Sequence, residues 1–187
     1  MSQIKYVVDA SVIIRRSTYD TYEYESFPIH WNNFDRLIDE GKIIAPPVVK
    51  NEILTKKYGE LGEWCNRYDK MFEPMNDGIS EELGLLEETF HDWYHYYDDS
   101  KDNWADPYLI AYAKAYDTVL VTQEKCNIKA TEEHNYKIPT VCAKLGAYCH
   151  IDSDITKNVS PNTPFQCINF FELIKREKLF EMIYRNY

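Results

Sequence analysis

The first apolar positions of the chain predict a buried strand that ends in an acid. Tyr6, Val7 and Val8 form a short apolar run, and the polar residues Asp9 and Ser11 then interrupt it. A short apolar run bounded by polar residues is typical of a strand that is buried on both faces. We therefore expect Asp9 at the carboxyl end of the first strand, where a turn or helix begins.

The next apolar positions recur at helical spacing. They predict a helix that has Ser26 as its N-cap and closes at Gly41. A short apolar strand at 43–45 follows, and the prolines after it predict a second helix with Glu52 in its first turns. The side chains expected to face the core from the first of these helices are Trp31, Phe34, Leu37 and Ile38.

The middle of the chain continues this alternation of helix and strand. Residues 60–97 have a helical pattern that turn residues interrupt at 74–78. A helix that begins at Asp106 and a β-branched strand at 118–122 come next. Together these segments predict a helical block followed by another helix and strand.

The last third of the chain predicts one more helix and strand before a loop. "KIPTVCAKLGAYCHI" indicates a short helix, a Gly146 cap and a short strand. The polar stretch 153–166 contains prolines and is expected to be a surface loop. A C-terminal helix is expected at about 169–185.

The order of these elements predicts the fold class. Strands that alternate with helices are typical of an α/β sandwich, in which helices cover both faces of a mainly parallel sheet. We predict a three-layer sandwich with a doubly wound sheet, and a single domain over residues 1–187. In that domain, 60–97 is a helical insertion and 169–185 is a terminal helix.

Acidic residues follow the predicted strands. In doubly wound sheets, sites form outside the carboxyl ends of the strands. Asp9 ends the first strand, Glu52 lies one helical turn past the second, and Thr122 with Glu124 ends a third. Asp106 begins the preceding helix, where Asp is a preferred N-cap residue. We expect Asp106 to cap this helix with one carboxylate oxygen and to face a cation with the other.

The charge and the cysteines restrict the function classes. The formal net charge is −10 and the pI is about 5.0, which excludes nucleic-acid binding by bulk attraction. Positive surface must therefore come from local clusters, from a groove in a homodimer, or from a bound metal. The five cysteines are irregularly spaced, which favours a reducing cytoplasm. Neither a secretory signal nor a membrane-spanning run is expected.

Carboxylates that converge in one crevice need a compensating cation. Close, buried acids repel one another unless protons or cations neutralise them. Mg²⁺ favours one or two direct carboxylates plus waters and substrate phosphate oxygens. Such ions can activate water and position a phosphodiester for in-line displacement. This chemistry indicates hydrolysis of a nucleic-acid backbone.

Four short motifs carry a family resemblance, and they cover nearly the whole chain. They are "YVVDASVII", "PPVVKNEI", "ADPYLIAYAKA" and "VLVTQE". In this order the chain resembles PIN-domain nucleases, in particular a prokaryotic branch that is similar to VapC-type toxins of type II toxin–antitoxin systems. The resemblance implies a PIN-like fold, Mg²⁺- or Mn²⁺-dependent endoribonuclease activity on RNA, and a toxin role opposed by a cognate antitoxin protein.

The resemblance also implies roles for individual residues. Asp9, Glu52 and Asp106 would be the principal acids that hold the metal or its waters. Glu124 would act as a water-mediated ligand or base, and Thr122 would support the same position through its hydroxyl. Two further residues are expected around these groups: Ser11 as a hydrogen-bonding partner and Asp102 as a reserve ligand.

A binding module without catalysis remains an alternative. In that case the chain would be a PIN-like domain that binds RNA or protein with incomplete metal chemistry. The distinction depends on whether Asp9, Glu52 and Asp106 converge within shared reach of a metal. An ion pair between Glu52 and Lys56, at helical i,i+4 spacing, would favour the alternative.

Other readings of the sequence carry less weight. A haloacid-dehalogenase-type phosphatase needs a second Asp where Ser11 stands. His91 and His95 lie one helical turn apart, but their aromatic helix is more typical of packing than of a zinc site. The many tyrosines could stack on bases, although such side chains are more often ordinary core and surface aromatics.

Overall fold

The computed structural model describes residues 4–17, 23–55, 60–96, 104–127, 129–152 and 154–182. Its strands are β1 (Tyr6–Val8), β2 (Ile43–Ile44), β3 (Val119–Val121), β4 (Tyr148–Ile151), β5 (Asp154–Ile155) and β6 (Gln166–Ile168). Its α-helices are α1 (Ala10–Ile13), α2 (Pro28–Asp39), α3 (Pro47–Thr55), α4 (Leu61–Arg67), α5 (Asp77–Thr89), α6 (His91–Tyr96), α7 (Asp106–Ala115), α8 (Ile138–Lys144) and α9 (Phe170–Arg176).

These strands form a mainly parallel sheet in the order β2-β1-β3-β6-β4-β5. In this order, the five neighbouring strands from β2 to β4 pair in parallel. The edge strand β5 pairs with β4 in the antiparallel direction. Every residue of β1 and β6 is buried, which requires helices on both faces of the sheet. The predicted three-layer α/β sandwich is therefore confirmed.

The predicted loop at 153–166 needs correction. The segment contains the edge strand β5, and its last residue, Gln166, is already the first residue of β6. Strand β6 lies between β3 and β4 in the sheet. β6 is only three residues long and begins with a polar side chain, so no apolar run marks it. Gln166 is accommodated because its Nε2 donates to the backbone oxygens of Pro161 at 3.1 Å and Thr163 at 2.6 Å.

The start of α2 also differs from the prediction. Phe27, not Ser26, is the N-cap residue, because the Ser26 hydroxyl donates to Glu23 Oε1 at 2.7 Å instead. The four apolar side chains expected on the inner face of α2 are all buried, as predicted.

Left-handed residues end several helices. Gly41 and Gly146 have φ values of 68° and 85°, and both follow a helix as predicted. The C-terminal helix is shorter than 169–185, because Lys178 takes a φ of 51°. The Leu179 amide then donates to the Ile174 carbonyl at 3.0 Å, and the Leu179 side chain is fully buried. This closing turn ends α9 at Arg176.

The middle block of the chain consists of helices, one of which packs against α7. Within 60–96 the structure forms α4, α5 and α6, and the interruption falls between 72 and 76. α5 packs against α7, and the Tyr112 hydroxyl on α7 donates to the Glu73 carbonyl at 2.7 Å. This packing fixes the helix that carries Asp106. In the described part of the chain, no helix is both long and apolar enough to cross a membrane.

Candidate metal site

Asp9 follows β1 and turns its carboxylate toward the end of β3. Its amide continues the sheet by donating to the Val121 carbonyl at 3.0 Å. Asp9 occupies the N-cap position of α1, yet its side chain makes no capping hydrogen bond. Instead Oδ2 accepts a hydrogen bond from Thr122 Oγ1 at 2.8 Å. The carboxylate is thus fixed between two parallel strands and is almost fully buried.

Two hydroxyl groups connect Asp9 to the residues after β3. Ser11 Oγ donates to Asp9 Oδ2 and accepts from the Gln123 amide at 3.0 Å. Thr122 Oγ1 accepts from the Glu124 amide at 3.1 Å while it donates to Asp9. The two hydroxyl groups therefore join the Asp9 carboxylate and the backbone that follows β3 in one hydrogen-bond network.

Helix α7 begins at Asp106 itself, one residue earlier than it would if Asp106 were the N-cap. Ala105 is the N-cap residue and makes no side-chain capping bond, so the predicted capping role of Asp106 is wrong. The helix starts one residue early, which places the Asp106 carboxylate in the first turn, where the helix dipole favours an acid. There the carboxylate takes part in a hydrogen bond with the side chain of Trp104, whose indole N–H is a donor only.

The pKa values show that these acids share one electrostatic environment. Burial and the charges of Glu124 and Glu52 raise the pKa of Asp9, hydrogen bonds from Ser11 and Thr122 lower it, and the net value is about 6. Burial, together with the charges of Glu124 and Asp9, raises the pKa of Asp106 to about 8. The structure therefore brings Asp9, Asp106 and Glu124 together, with Glu52 close enough to act on Asp9.

Glu124 joins the end of β3 to the start of α8. Its Oε2 accepts from the Ile138 amide at 2.9 Å, and its Oε1 lies 3.7 Å from Lys137 Nζ. The Lys137 charge also lowers the pKa of Asp106. Sequence reasoning missed Lys137, because nothing in its local pattern relates it to an acid 13 positions earlier.

Glu52 lies in the second turn of α3 and is half-buried. Its charge reaches Asp9, as expected for a residue near the carboxyl end of the sheet. Its suggested ion-pair partner Lys56 lies outside the described residues, and so does the reserve ligand Asp102.

The two histidines considered for zinc lie elsewhere. His95 Nε2 is 2.9 Å from Glu87 Oε1, and His91 packs against the His95 ring. Cys142, Cys149 and Cys167 are buried next to one another between α8, β4 and β6. Within the described ranges, no group of three or more His, Cys, Asp or Glu side chains is arranged to hold a metal ion.

The donor chemistry of the acidic cluster nevertheless fits a hard cation. Asp9 and Asp106 supply buried carboxylate oxygens, and burial and neighbouring acids raise the pKa values of both. Mg²⁺ is commonly held by one or two carboxylates and keeps several waters. Two direct ligands, with the other acids acting through water, would match the residue types of the cluster.

Comparison with protein families places the chain in a group. A family model described as "Domain of unknown function (DUF4411)" matches residues 6–160. The chain belongs to this family. The DUF4411 match spans Asp9, Glu52, Asp106 and Glu124, and it ends before β6. Comparisons with curated proteins and with solved structures found no match.

Proposed function

We propose that this DUF4411 protein is a metal-dependent endoribonuclease that hydrolyses phosphodiester bonds of RNA. The observation that carries the proposal is the convergence of Asp9, Asp106 and Glu124: the charge of Glu124 raises the pKa of both aspartates, and the charge of Asp9 raises that of Asp106. Acids from three separate elements meet at the carboxyl end of a parallel sheet, which is where sites form in such folds. The resemblance of four motifs to PIN-domain nucleases supports the same chemistry.

Each residue has a role in this proposal. Asp9 and Asp106 would hold Mg²⁺ or Mn²⁺ directly, and Glu52 and Glu124 would act through waters. Thr122 and Ser11 orient the Asp9 carboxylate through their hydroxyl groups. When bound, the metal supplies charge stabilisation for the phosphate and a water of lowered pKa. Glu124 lies beside this position with a carboxylate that could accept a proton.

The biological setting is part of the proposal. The likeness to VapC-type toxins supports a cytoplasmic toxin whose activity a cognate antitoxin protein restrains. Co-expression with the neighbouring gene, followed by co-purification, tests this part independently of the cleavage chemistry.

One observation favours a second candidate, a PIN-like module that binds RNA or protein without cutting. The described residues contain no ready-made group of three metal ligands, and Glu124 is already engaged by the amide of Ile138 and by Lys137. A carboxylate held in this way is less free to serve as a ligand. The two candidates make different predictions for metal-dependent cleavage.

The deciding experiment is cleavage of a mixed pool of structured and single-stranded RNAs by the purified protein. Reactions contain Mg²⁺, Mn²⁺ or EDTA, and the Asp9→Asn and Asp106→Asn variants run alongside. Asp39→Asn, at an exposed acid on α2 that pairs with Lys70, is the matched control. Cutting that needs metal, survives in Asp39→Asn and disappears in both site variants supports the nuclease. Binding of RNA without cutting under any condition supports the module.

A further inference from the structure

Lys137 is a basic side chain placed at the rim of the acidic cluster. It is the N-cap residue of α8, and its side chain is 47% exposed, with Nζ 3.7 Å from Glu124 Oε1. The backbone of the next residue, Ile138, binds the other oxygen of the same carboxylate. The backbone position of Lys137 is therefore fixed, while its ammonium group faces solvent beside the acids.

A polyanionic substrate needs such a group here. The protein carries a net charge of −10, and the cluster itself adds several carboxylates that repel phosphate. Two other basic residues, Arg16 and Lys50, are already engaged in ion pairs. Arg16 forms an ion pair with Asp35, in which both side chains are only 12% exposed. Lys50 Nζ lies 2.7 Å from Asp69 Oδ1.

The contact between Lys137 and Glu124 is loose enough to be exchanged. At 3.7 Å the pair is longer than a charge-assisted hydrogen bond, and exposed ion pairs contribute little to stability. A phosphate oxygen offers the ammonium group a stronger partner. Glu124 keeps its bond from the Ile138 amide when Lys137 moves, so its carboxylate stays in position.

We propose that Lys137 binds a backbone phosphate of RNA next to the acidic cluster and so sets where the RNA strand enters the site. This inference takes its substrate class from the proposed function. It adds a residue that contacts the substrate and is separate from the groups that would hold the metal. Its signature is a change in RNA affinity and in the salt dependence of that affinity, with metal binding preserved.

The test measures binding of a short fluorescein-labelled single-stranded oligoribonucleotide by anisotropy, in EDTA, over a series of salt concentrations. The variants are Lys137→Met, which removes the charge, and Lys137→Arg, which keeps it. Lys5→Met is the matched control. The Lys5 side chain is 50% exposed, and its Nζ lies 3.4 Å from Glu177 Oε1. Lys5 precedes the amino end of β1, whereas Asp9 follows its carboxyl end. Mn²⁺ affinity of each variant is measured separately by calorimetry.

We expect Lys137→Met to weaken RNA binding severalfold and to reduce the slope of log K against log salt by about 0.7, the value for one phosphate on a single strand. Lys137→Arg and Lys5→Met should retain the wild-type slope, and Mn²⁺ affinity should not fall in Lys137→Met. An unchanged slope in Lys137→Met overturns the inference, and so does an equal loss in Lys5→Met.

The remaining outcomes separate this inference from the proposed function. If Lys137→Met loses Mn²⁺ affinity and keeps its RNA slope, Lys137 only positions Glu124 and the inference is wrong. If the slope changes as expected but the wild-type protein never cuts RNA, the phosphate contact stands and the nuclease proposal fails.

Discussion

Thr122 Oγ1 donates a 2.8 Å hydrogen bond to Oδ2 of Asp9, across the carboxyl ends of two paired parallel strands. The same hydroxyl accepts from the Glu124 amide, so one fully buried side chain connects two acids of the candidate site. Because the hydrogen bond favours the charged form of Asp9, it opposes the rise in the pKa of that carboxyl group. Thr122 is therefore a positioning residue for Asp9.

Replacing Thr122 with Val should weaken metal binding most strongly at low pH. Without the hydroxyl, the pKa of Asp9 rises further above about 6, so protons compete better with Mn²⁺ near that pH. We expect a larger loss of Mn²⁺ affinity at pH 6 than at pH 8, and a loss of about 1 kcal/mol in the free energy of unfolding. Calorimetric titrations at the two pH values measure the first effect, and urea unfolding measures the second.

Thr140→Val is the control for Thr122→Val. Thr140 is also fully buried, and its hydroxyl accepts from the Asn127 amide at 3.1 Å. It should lose comparable stability with no pH-dependent change in Mn²⁺ affinity. Equal losses of affinity at both pH values in Thr122→Val would show that the hydroxyl does not act through the ionisation of Asp9.

Asp9→Asn should stabilise the metal-free protein at neutral and higher pH. The pKa of Asp9 is about 6 in the folded protein against an ordinary value of 3.8, so the folded state binds protons more tightly than the unfolded state. The contribution of Asp9 to the free energy of unfolding is therefore complete below about pH 4 and is lost as the pH rises through about 6. The shift of about two units corresponds to about 3 kcal/mol at most.

The amide removes this loss because it has no charge to bury. We expect urea unfolding in EDTA at pH 8 to give a higher free energy of unfolding for Asp9→Asn than for the wild type. Asp39→Asn, at an acid that is 58% exposed and paired with Lys70, should change stability by less than about 1 kcal/mol. A wild-type free energy of unfolding that is flat between pH 4 and pH 8 would contradict the prediction.

Sequence reasoning found the residues whose position follows from one strand. Asp9 and Thr122 each come directly after a buried apolar run, so their place at the carboxyl edge of the sheet could be predicted. Lys137 and Trp104 could not, because their link to Glu124 and Asp106 depends on how separate segments pack. Strand β6 was missed for a related reason: its polar first residue is satisfied only by tertiary hydrogen bonds.

Trp104→Phe should weaken metal binding through Asp106. The hydrogen bond from the indole lowers the pKa of Asp106, so its loss should favour the protonated carboxyl group and reduce Mn²⁺ affinity at neutral pH. Trp104 also packs edge-on against Trp93, with ring centroids 4.9 Å apart. Calorimetric titration measures the Mn²⁺ affinity of both proteins. Because Mn²⁺ near Asp106 would quench Trp104, binding to the wild type can also be followed by fluorescence.

Trp93→Phe is the matched control for Trp104→Phe. Trp93 is fully buried, and its indole nitrogen has no hydrogen-bond partner among the described residues. The substitution therefore removes ring contacts without removing a bond to an acid. Trp93→Phe should keep the wild-type Mn²⁺ affinity and most of the quenching by Mn²⁺. Quenching that is equal in wild type and Trp104→Phe would place the ion away from Trp104.

The ion pair between Arg16 and Asp35 should contribute to the stability of the fold rather than to the chemistry of the site. Arg16 Nη1 and Nη2 each donate to an oxygen of the Asp35 carboxylate at 3.3 Å, and this carboxylate also accepts from Trp64 Nε1 at 3.0 Å. Asp35→Ala should cost about 3 kcal/mol in urea unfolding, because it leaves a largely buried arginine without its partner. Asp69→Ala, which breaks the exposed pair with Lys50, should cost less than about 1 kcal/mol. Equal costs for the two variants would mean that Arg16 reaches solvent when Asp35 is removed.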